Sequence, residues 1–363
     1  MGAPASQRLV SLDALRGFDM CCILGLTAAI EAVLGRFLPQ SPLTAGLKTQ
    51  FAHVDWAGLH FEDLIFPLFL FISGAAMAFS VPRRLERETQ TAVIKHLMVR
   101  ALVIFALGVI YSGGLSRGWD EVRWLGVIQR IGIASAAAGL LSIWLDGRGL
   151  AIATAALLVG YWLLLSFVPV PGFGAGDFAE GRNLTNYLDS IWLLGRKYDG
   201  DHDPEGILST LPAIGTALLG LLAGNWLSRD MEPRRKVGGL LLAGIALLLA
   251  GWAWHPFFPV VKKLWSSSFV LVTAGWSAIL LAGFYWIIDV RGWRRWCEPF
   301  VWVGANPISL YLAAGMGAFR TVNQRIVGPL SAEWAWVGSV TVFALMLLTA
   351  RWLYRRGILL RVS

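Results

Sequence analysis

The sequence predicts an all-α polytopic membrane protein, a bundle of about ten transmembrane helices in a single domain over residues 1–363. Three observations predict it. Hydrophobic residues make up 56% of the chain and charged residues only 15%, against roughly 25% charged in an ordinary soluble domain. The apolar residues gather in stretches of about 20, the length that crosses a hydrocarbon core. Eighteen tryptophans suit membrane–water interfaces, where the amphipathic indole is favoured.

Windows of that length place helices near 14–35, 63–82, 97–113, 125–145, 149–168, 205–227, 237–256, 267–288, 299–317 and 335–354. The first follows a short polar segment with no charged leader before a cleavable apolar region, so it is expected to be retained. The second contains Pro67, Ser73 and Gly74, and the fourth carries Gln129 and Arg130 in an otherwise apolar run. Such polar residues inside spans point to an internal cavity. The third window is short, and it, the fifth, seventh and tenth rest on their apolar length alone. The sixth follows Asp203-Pro204, which reads as a helix start with proline in the first turn and acids at the positive dipole end. The eighth follows Lys262, Lys263, Trp265 and three serines. The ninth carries Asn306-Pro307, where a proline kinks the span or frees backbone groups to line a cavity.

The net charge of +8 would suit nucleic acid, but no basic cluster with interleaved aromatics lies on a soluble segment, and no nucleic acid is expected as a partner. The basic residues fall in short runs between apolar stretches, as topology determinants do. Nineteen of the 31 lie on one side: Arg8 and Arg16, then those within residues 83–100, Arg148, and those within 229–236, 291–295 and 351–361. That side reads as cytoplasmic, with both termini on it and an even number of spans. Two connections on the other side are long, residues 36–62 and 169–204, and long loops in compact proteins tend to be functional. Cys21, Cys22 and Cys297 show no CxxC or metal-like spacing, so neither a disulfide nor a metal is expected.

Five segments hold candidate chemistry. In the first, Asp13 and Arg16 are three apart and pair on one helical face; they read either as a helix-end acid with a topology arginine or as part of an anion site at the cytoplasmic mouth. In the second, His53 lies between aromatics and beside Asp55, Trp56, Glu62 and Asp63. Imidazole titrates near neutrality, so a histidine at a membrane face is a natural general base; His60 reads as an ordinary loop residue. In the third, Arg130 beside Gln129 costs a few kcal/mol unless it snorkels or finds a partner. The fourth, Asp199 to Glu205, gathers acids at one point and would attract a cationic ligand. The fifth comprises Lys262 to Ser268 and, later, Asn306, Ser309 and Tyr311. No P-loop, GxSxG or HExxH is present. On chemistry alone the chain is a membrane enzyme or a secondary transporter or exporter of a small sugar or cationic solute. Asp19, Glu31 and Asp63 keep the transporter open.

Taken in order, SLDALRGFDM at 11–20, HVDWAGLHFEDLIFPLFLFISG at 53–74, GVIQRIGIA at 126–134, DPEGILSTLPAIGTALLG at 203–220, KKLWSSSFVL at 262–271 and GANPISLYL at 304–312 resemble the transmembrane acyltransferases related to heparan-α-glucosaminide N-acetyltransferase, in particular their bacterial NagX-type branch. The resemblance implies an acetyltransferase of the inner membrane of a bacterium. It would take acetyl-CoA as co-substrate from the cytoplasm, with no metal. It would acetylate the amine of an extracytoplasmic amino sugar, glucosamine or a glucosamine-containing saccharide. The family's catalytic histidine falls on His53, as general base or acyl carrier; Asp63, Gln129 and Arg130 fall on other motif positions, assigned here to catalysis. Asp13, Arg16 and Asn306 fall on motif positions assigned here to the cofactor, with Arg291 and Arg294 as candidates for the CoA phosphates. Asp203, Glu205, Trp56 and Lys262 are the expected acceptor-binding residues. One departure is Thr27, where the lysosomal member carries asparagine. Membrane lipid is an expected partner, and the sequence allows a homodimer.

Overall fold

Capping side chains, glycine and proline set where the helices of this chain begin, approach one another and stop. The computed structural model describes residues 9–114 and 116–359; Arg8 and Arg361, counted in the charge asymmetry, lie outside the described residues. In chain order the helices are α1 (Val10–Cys21), α2 (Thr27–Phe37), α3 (Pro42–Gln50), α4 (Phe61–Leu85), α5 (Gln90–Tyr111), α6 (Val127–Trp144), α7 (Gly147–Phe167), α8 (Leu184–Trp192), α9 (Thr210–Ser228), α10 (Pro233–Trp254), α11 (Ser267–Phe284), α12 (Glu298–Gly304), α13 (Pro307–Gly315), α14 (Ala318–Val327) and α15 (Ala335–Arg355). Ser41, Thr89, Asp146 and Asn183 cap α3, α5, α7 and α8 by accepting from backbone N–H groups of the first turn, which have no partner within the helix. Among the described residues there is no strand, only isolated bridges such as Ala57 with Val261.

Nine helical stretches among the described residues are long and apolar enough to cross a membrane. Val10–Phe37 is one, α1 running into α2 through a π turn at Cys22–Leu26 where Gly25 has φ 116°. Ser267–Val290 is another, α11 continuing through a π turn at Tyr285–Val290. The chain is an all-α polytopic membrane protein. The expected span at 299–317 is not continuous: α12 stops at Gly304 and α13 starts at Pro307. Proline lacks the N–H an unbroken helix needs and its ring clashes with the turn before it, so it opens a new helix instead. The expected helix start at Asp203-Pro204 also moves. Residues 203–206 form a turn closed by Gly206 N–H donating to Asp203 O at 2.9 Å, and α9 begins at Thr210. Asp first, Pro second and Gly fourth are the preferences of a type I turn. The long connections carry α3 and α8, each too short for an apolar window of 20 residues to register.

The described residues of Met1–Ala52, Met231–Gly239 and Ile279–Arg361 form one compact unit, and those of His53–Asp230 and Leu240–Ala278 form the other. In the first, α1 and α12 touch through backbone: a Cβ on Gly304 would lie 2.1 Å from Asp13 O. In the second, α4 and α9 do the same, a Cβ on Gly74 falling 1.9 Å from Ala217 O. Small residues give this close approach where lipid supplies no hydrophobic drive between helices. Around α4 and α9, side chains of α5, α6, α7 and α11 complete a core that includes Leu70, Val93, Ala134, Leu158, Leu218 and Phe269.

Candidate active site

The site begins at the first turn of α4. His60 is the residue before the helix, and Asp63, buried at 1% exposure, turns back towards the loop. Its Oδ2 accepts from the backbone N–H of His60 at 3.1 Å and of Val54 at 3.2 Å. The loop is pinned from outside as well: Gly58 N–H donates to Val260 O at 2.8 Å and the Trp56 indole donates to Phe178 O at 3.0 Å. Asp63 Oδ1 then lies 2.9 Å from His53 Nδ1. An ionised carboxylate only accepts, so Nδ1 bears the proton in this pairing and Nε2 is left with its lone pair. The His53 side chain is 58% exposed. The buried acid favours the tautomer with the proton on Nδ1, and the ring stays exposed.

Lys262 completes this corner. Its Nζ is 3.3 Å from Asp63 Oδ1 and 3.0 and 3.4 Å from the two ring nitrogens of His53. Burial holds the Lys262 ammonium below the ordinary lysine range, with Asp63 opposing that shift. The turn that delivers it is unusual. Trp265 has φ 50°, a left-handed conformation costly for a bulky residue and kept only where the surroundings over-determine it. Here they do. Trp265 N–H donates to Lys262 O at 2.8 Å, its indole donates to Thr216 Oγ1 at 3.1 Å, and its ring meets Phe66 edge-on at 4.9 Å. The Arg130 guanidinium lies 5.0 Å from the same ring, an attractive cation–π geometry. Arg130 is fully enclosed; it donates to Ser209 Oγ at 2.5 Å and Gly206 O at 3.3 Å, while its Nε and Nη1 have no hydrogen-bond partner. Gln129 beside it donates to Arg123 O at 3.2 Å.

Asp203 and Glu205 do not face open solvent. Arg123 donates from Nε to Asp203 Oδ2 at 2.7 Å and from Nη2 to Oδ1 at 2.6 Å, and its Nη2 also pairs with Glu205. This two-pronged fit is the strong form of the arginine–carboxylate pair. Behind it Asp189 accepts from Ile207 N–H at 2.9 Å and Asp203 N–H at 3.4 Å. Burial pushes the Asp189 carboxyl up to about 6, against the pull of those two N–H groups. Gly206 is required here, because a Cβ would fall 1.8 Å from the Asp189 carboxylate. Neither Arg123 nor Asp189 stands out in the sequence, although a buried carboxylate always asks for a compensating group.

The remaining candidates lie in the other unit. Arg16 Nη1 pairs with Asp13 Oδ1 at 3.3 Å on α1. Ser11 N–H donates to Asp289 Oδ2 at 3.1 Å, and Arg294, 57% exposed, reaches Asp289 at 4.0 Å. Arg291 stacks over Trp286 at 5.0 Å. Asn306 is buried at the break between α12 and α13 and donates to Ile358 O at 3.0 Å. These residues hold both cations and a polar helix break.

Fold and site together define a polytopic helical membrane protein that displays a carboxylate-backed histidine at a helix start. The family model described as heparan-alpha-glucosaminide N-acetyltransferase, catalytic, matches residues 8–251, and the chain belongs to that family. It is similar to the human protein of that name, 30% identical over 323 residues, and to the mouse protein, 28% identical over 323 residues. Each alignment covers 72% of this chain and 48% of the relative, so the chain spans about half the length of the curated relatives it matches.

Proposed function

We propose that this chain is a transmembrane N-acetyltransferase that moves acetyl from acetyl-CoA to the amine of an amino sugar. The His53–Asp63 contact of 2.9 Å, with the ring exposed and the acid buried, is the observation that carries the reading. The neutral amine attacks the thioester carbonyl while His53 Nε2 takes its proton. Asp63 holds the ring and stabilises the imidazolium, as a buried carboxylate does for a base of this kind. Lys262 is the nearest donor for the negative charge that develops on the carbonyl oxygen. Collapse of the intermediate breaks the carbon–sulfur bond, forms the amide and returns the proton to the leaving CoA thiolate. Arg130, shut away behind Trp265, acts as a positioning residue for the Lys262 turn, with Gln129 tied to the Arg123 carbonyl.

Acetyl-CoA in this reading comes from the cytoplasmic side, with Arg16, Arg291 and Arg294 as its phosphate partners and Asp13 and Asn306 shaping the inner mouth. The acceptor is a glucosamine or a glucosamine-containing saccharide met on the outer side by Trp56 and Lys262. Both termini are cytoplasmic, and the membrane is the inner membrane of a bacterium. The basic asymmetry and the family relationship support these assignments. His53→Ala tests the reaction. Release of free CoA with glucosamine as acceptor should fall roughly 100-fold or more, the scale of a lost general base, while acetyl-CoA binding stays unchanged. A folded variant that acetylates glucosamine at near the parent rate would remove His53 from the chemistry.

A further inference from the structure

The connection between α7 and α9 carries a polar cluster that neither the proposed reaction nor the Arg123 ion pairs use. Glu180, Asp199 and His202 each offer one ligand atom, all within 4.8 Å of one another. His202 Nε2 lies 3.5 Å from Glu180 Oε1 and 3.8 Å from Asp199 Oδ2. Donors held about 2.0–2.2 Å from a tetrahedral ion stand roughly 3.3–3.6 Å apart, so the two histidine–carboxylate spacings need little adjustment, and the two carboxylates would draw together on the ion. Two acids on a loop would by themselves say nothing. The histidine supplies the second observation. It is 5% exposed, and its Nε2 is enclosed, has no hydrogen-bond partner and faces the two carboxylates. Its other ring nitrogen lies 2.6 Å from Asp201 Oδ1. With an ion bound, Nδ1–H would donate to Asp201 and Nε2 would offer its lone pair, the carboxylate–imidazole order that orients histidine ligands to metals.

Lys263 marks where a positive charge belongs. Its Nζ lies 2.6 Å from Glu180 Oε1 and 3.2 Å from Asp199 Oδ2, the same two oxygens that face His202 Nε2. The lysine stem is flexible and partly exposed, so the ammonium can leave for solvent. We propose that Glu180, Asp199 and His202 form a binding site for a divalent cation of the zinc class, and that Lys263 is the internal cation displaced on binding. One imidazole nitrogen with two carboxylate oxygens suits zinc; calcium and magnesium prefer oxygen alone. Three protein ligands leave a fourth position for water. An ion there would tie the segment around Glu180 to the turn that delivers Asp203, and would free the residue next to Lys262. The inference stands on these side chains and not on the acetyl-transfer reading.

Calorimetric titration of Zn²⁺ into the full chain, tag-free, stripped with a chelator and held in detergent, tests it. One saturable equivalent is expected, accompanied by a rise in melting temperature. His202→Ala should abolish that equivalent, and Asp201→Asn should weaken it roughly 10-fold. Lys263→Met should tighten it, since no ammonium then competes; this gain keeps the test decisive where a loss could reflect misfolding. No saturable binding in either the parent or Lys263→Met, or an equivalent that survives His202→Ala, would overturn the site. Calcium binding as tight as zinc binding would overturn the metal class.

Discussion

At His53 a buried carboxylate holds an exposed ring; at Arg123 a guanidinium is drawn in between two buried carboxylates. Both corners sit on connections of the same helical unit and both draw on charges from distant parts of the sequence. They differ in what is left over. Around Arg123 the Asp203 carboxylate is bonded on both oxygens, and Asp189 behind it receives two backbone N–H groups. Around His53 the acid is satisfied by Val54, His60, the ring and Lys262, while the ring itself is exposed and has Lys262 Nζ 3.4 Å from its remaining nitrogen. Buried charge closed on both sides builds a frame; an exposed ring held by a buried acid is the part that the proposed reaction uses. The comparison predicts that substitutions at the two corners fail in different assays.

The largest effect should be on stability, at Arg123. Its replacement by alanine leaves Asp203 and Glu205 buried with no cation between them. Breaking such a pair from one side costs about 3–5 kcal/mol, and the partial exposure of Arg123 places the expectation near the lower end. Equilibrium unfolding in mixed detergent measures it. Arg123→Lys should recover part of the loss, because a point charge cannot make the forked contact. A loss below about 1 kcal/mol in Arg123→Ala would break the frame reading.

Asp63→Asn should do the reverse. An amide can offer N–H to His53 Nδ1 and so favour the tautomer whose proton sits on Nε2, the wrong one for a base. The proposed acetyl transfer is expected to fall roughly 100-fold, about 2.7 kcal/mol of barrier, while unfolding shifts far less than in Arg123→Ala. If turnover changes by less than about threefold, the acid does not set the ring, and the contrast between the corners loses one side.

The His53 corner was half legible because half of it is local. Asp63 is ten residues from His53, and its position three past His60 is a helix-start pattern that turns a carboxylate back on the loop. Lys262 is 209 residues away, and no spacing rule joins it to His53. What reveals it is the left-handed Trp265, a conformation that a Lys-Lys-Leu-Trp string does not advertise. Arg123 hid for another reason. It lies outside the nineteen basic residues that set the topology and in none of the five candidate segments, and its partners 80 and 82 residues on read as a helix start. The Asp-Pro-Glu-Gly string suits a turn and a helix entrance equally in its first three residues, and Gly206 decides for the turn. The broken span shows the same limit. Apolar length found residues 299–317, but Asn306-Pro307 reads as a kink or as freed backbone lining a cavity, and the full break seen here depends on packing such as Gly304 against Asp13 O.

A third substitution sharpens the frame without touching charge. Gly206→Ala places a methyl where the Asp189 carboxylate stands, 1.8 Å away. Either the turn or Asp189 must move, and overpacking of this kind costs about 2 kcal/mol. Unfolding of the variant checks it. The loss should largely disappear in the Gly206→Ala, Asp189→Ala double variant, since the obstacle is then gone and coupled sites are non-additive. Two losses that simply add would mean that the carboxylate is not what the glycine accommodates.

The smallest effect is a pH dependence that belongs to the frame. Burial raises the Asp189 carboxyl from 3.8 to about 6. The folded protein therefore holds that proton more tightly than the unfolded chain does. The stabilisation from protonation is complete below about 3.8 and is lost as the pH rises through about 6. An amide at this position does not titrate, so the comparison to make is Asp189→Asn against the parent, with unfolding followed from pH 7 down to pH 5. All other titrating groups are common to the two proteins and cancel in the difference. Stability of the parent relative to the variant should rise by about 1 kcal/mol over that range, as the parent takes up a proton that the amide cannot. A flat difference would show that the Asp189 carboxyl is not held neutral by its surroundings. A difference of the opposite sign would mean that the two backbone N–H groups outweigh burial, which would make Asp189 one more saturated anion of the kind seen at Asp203.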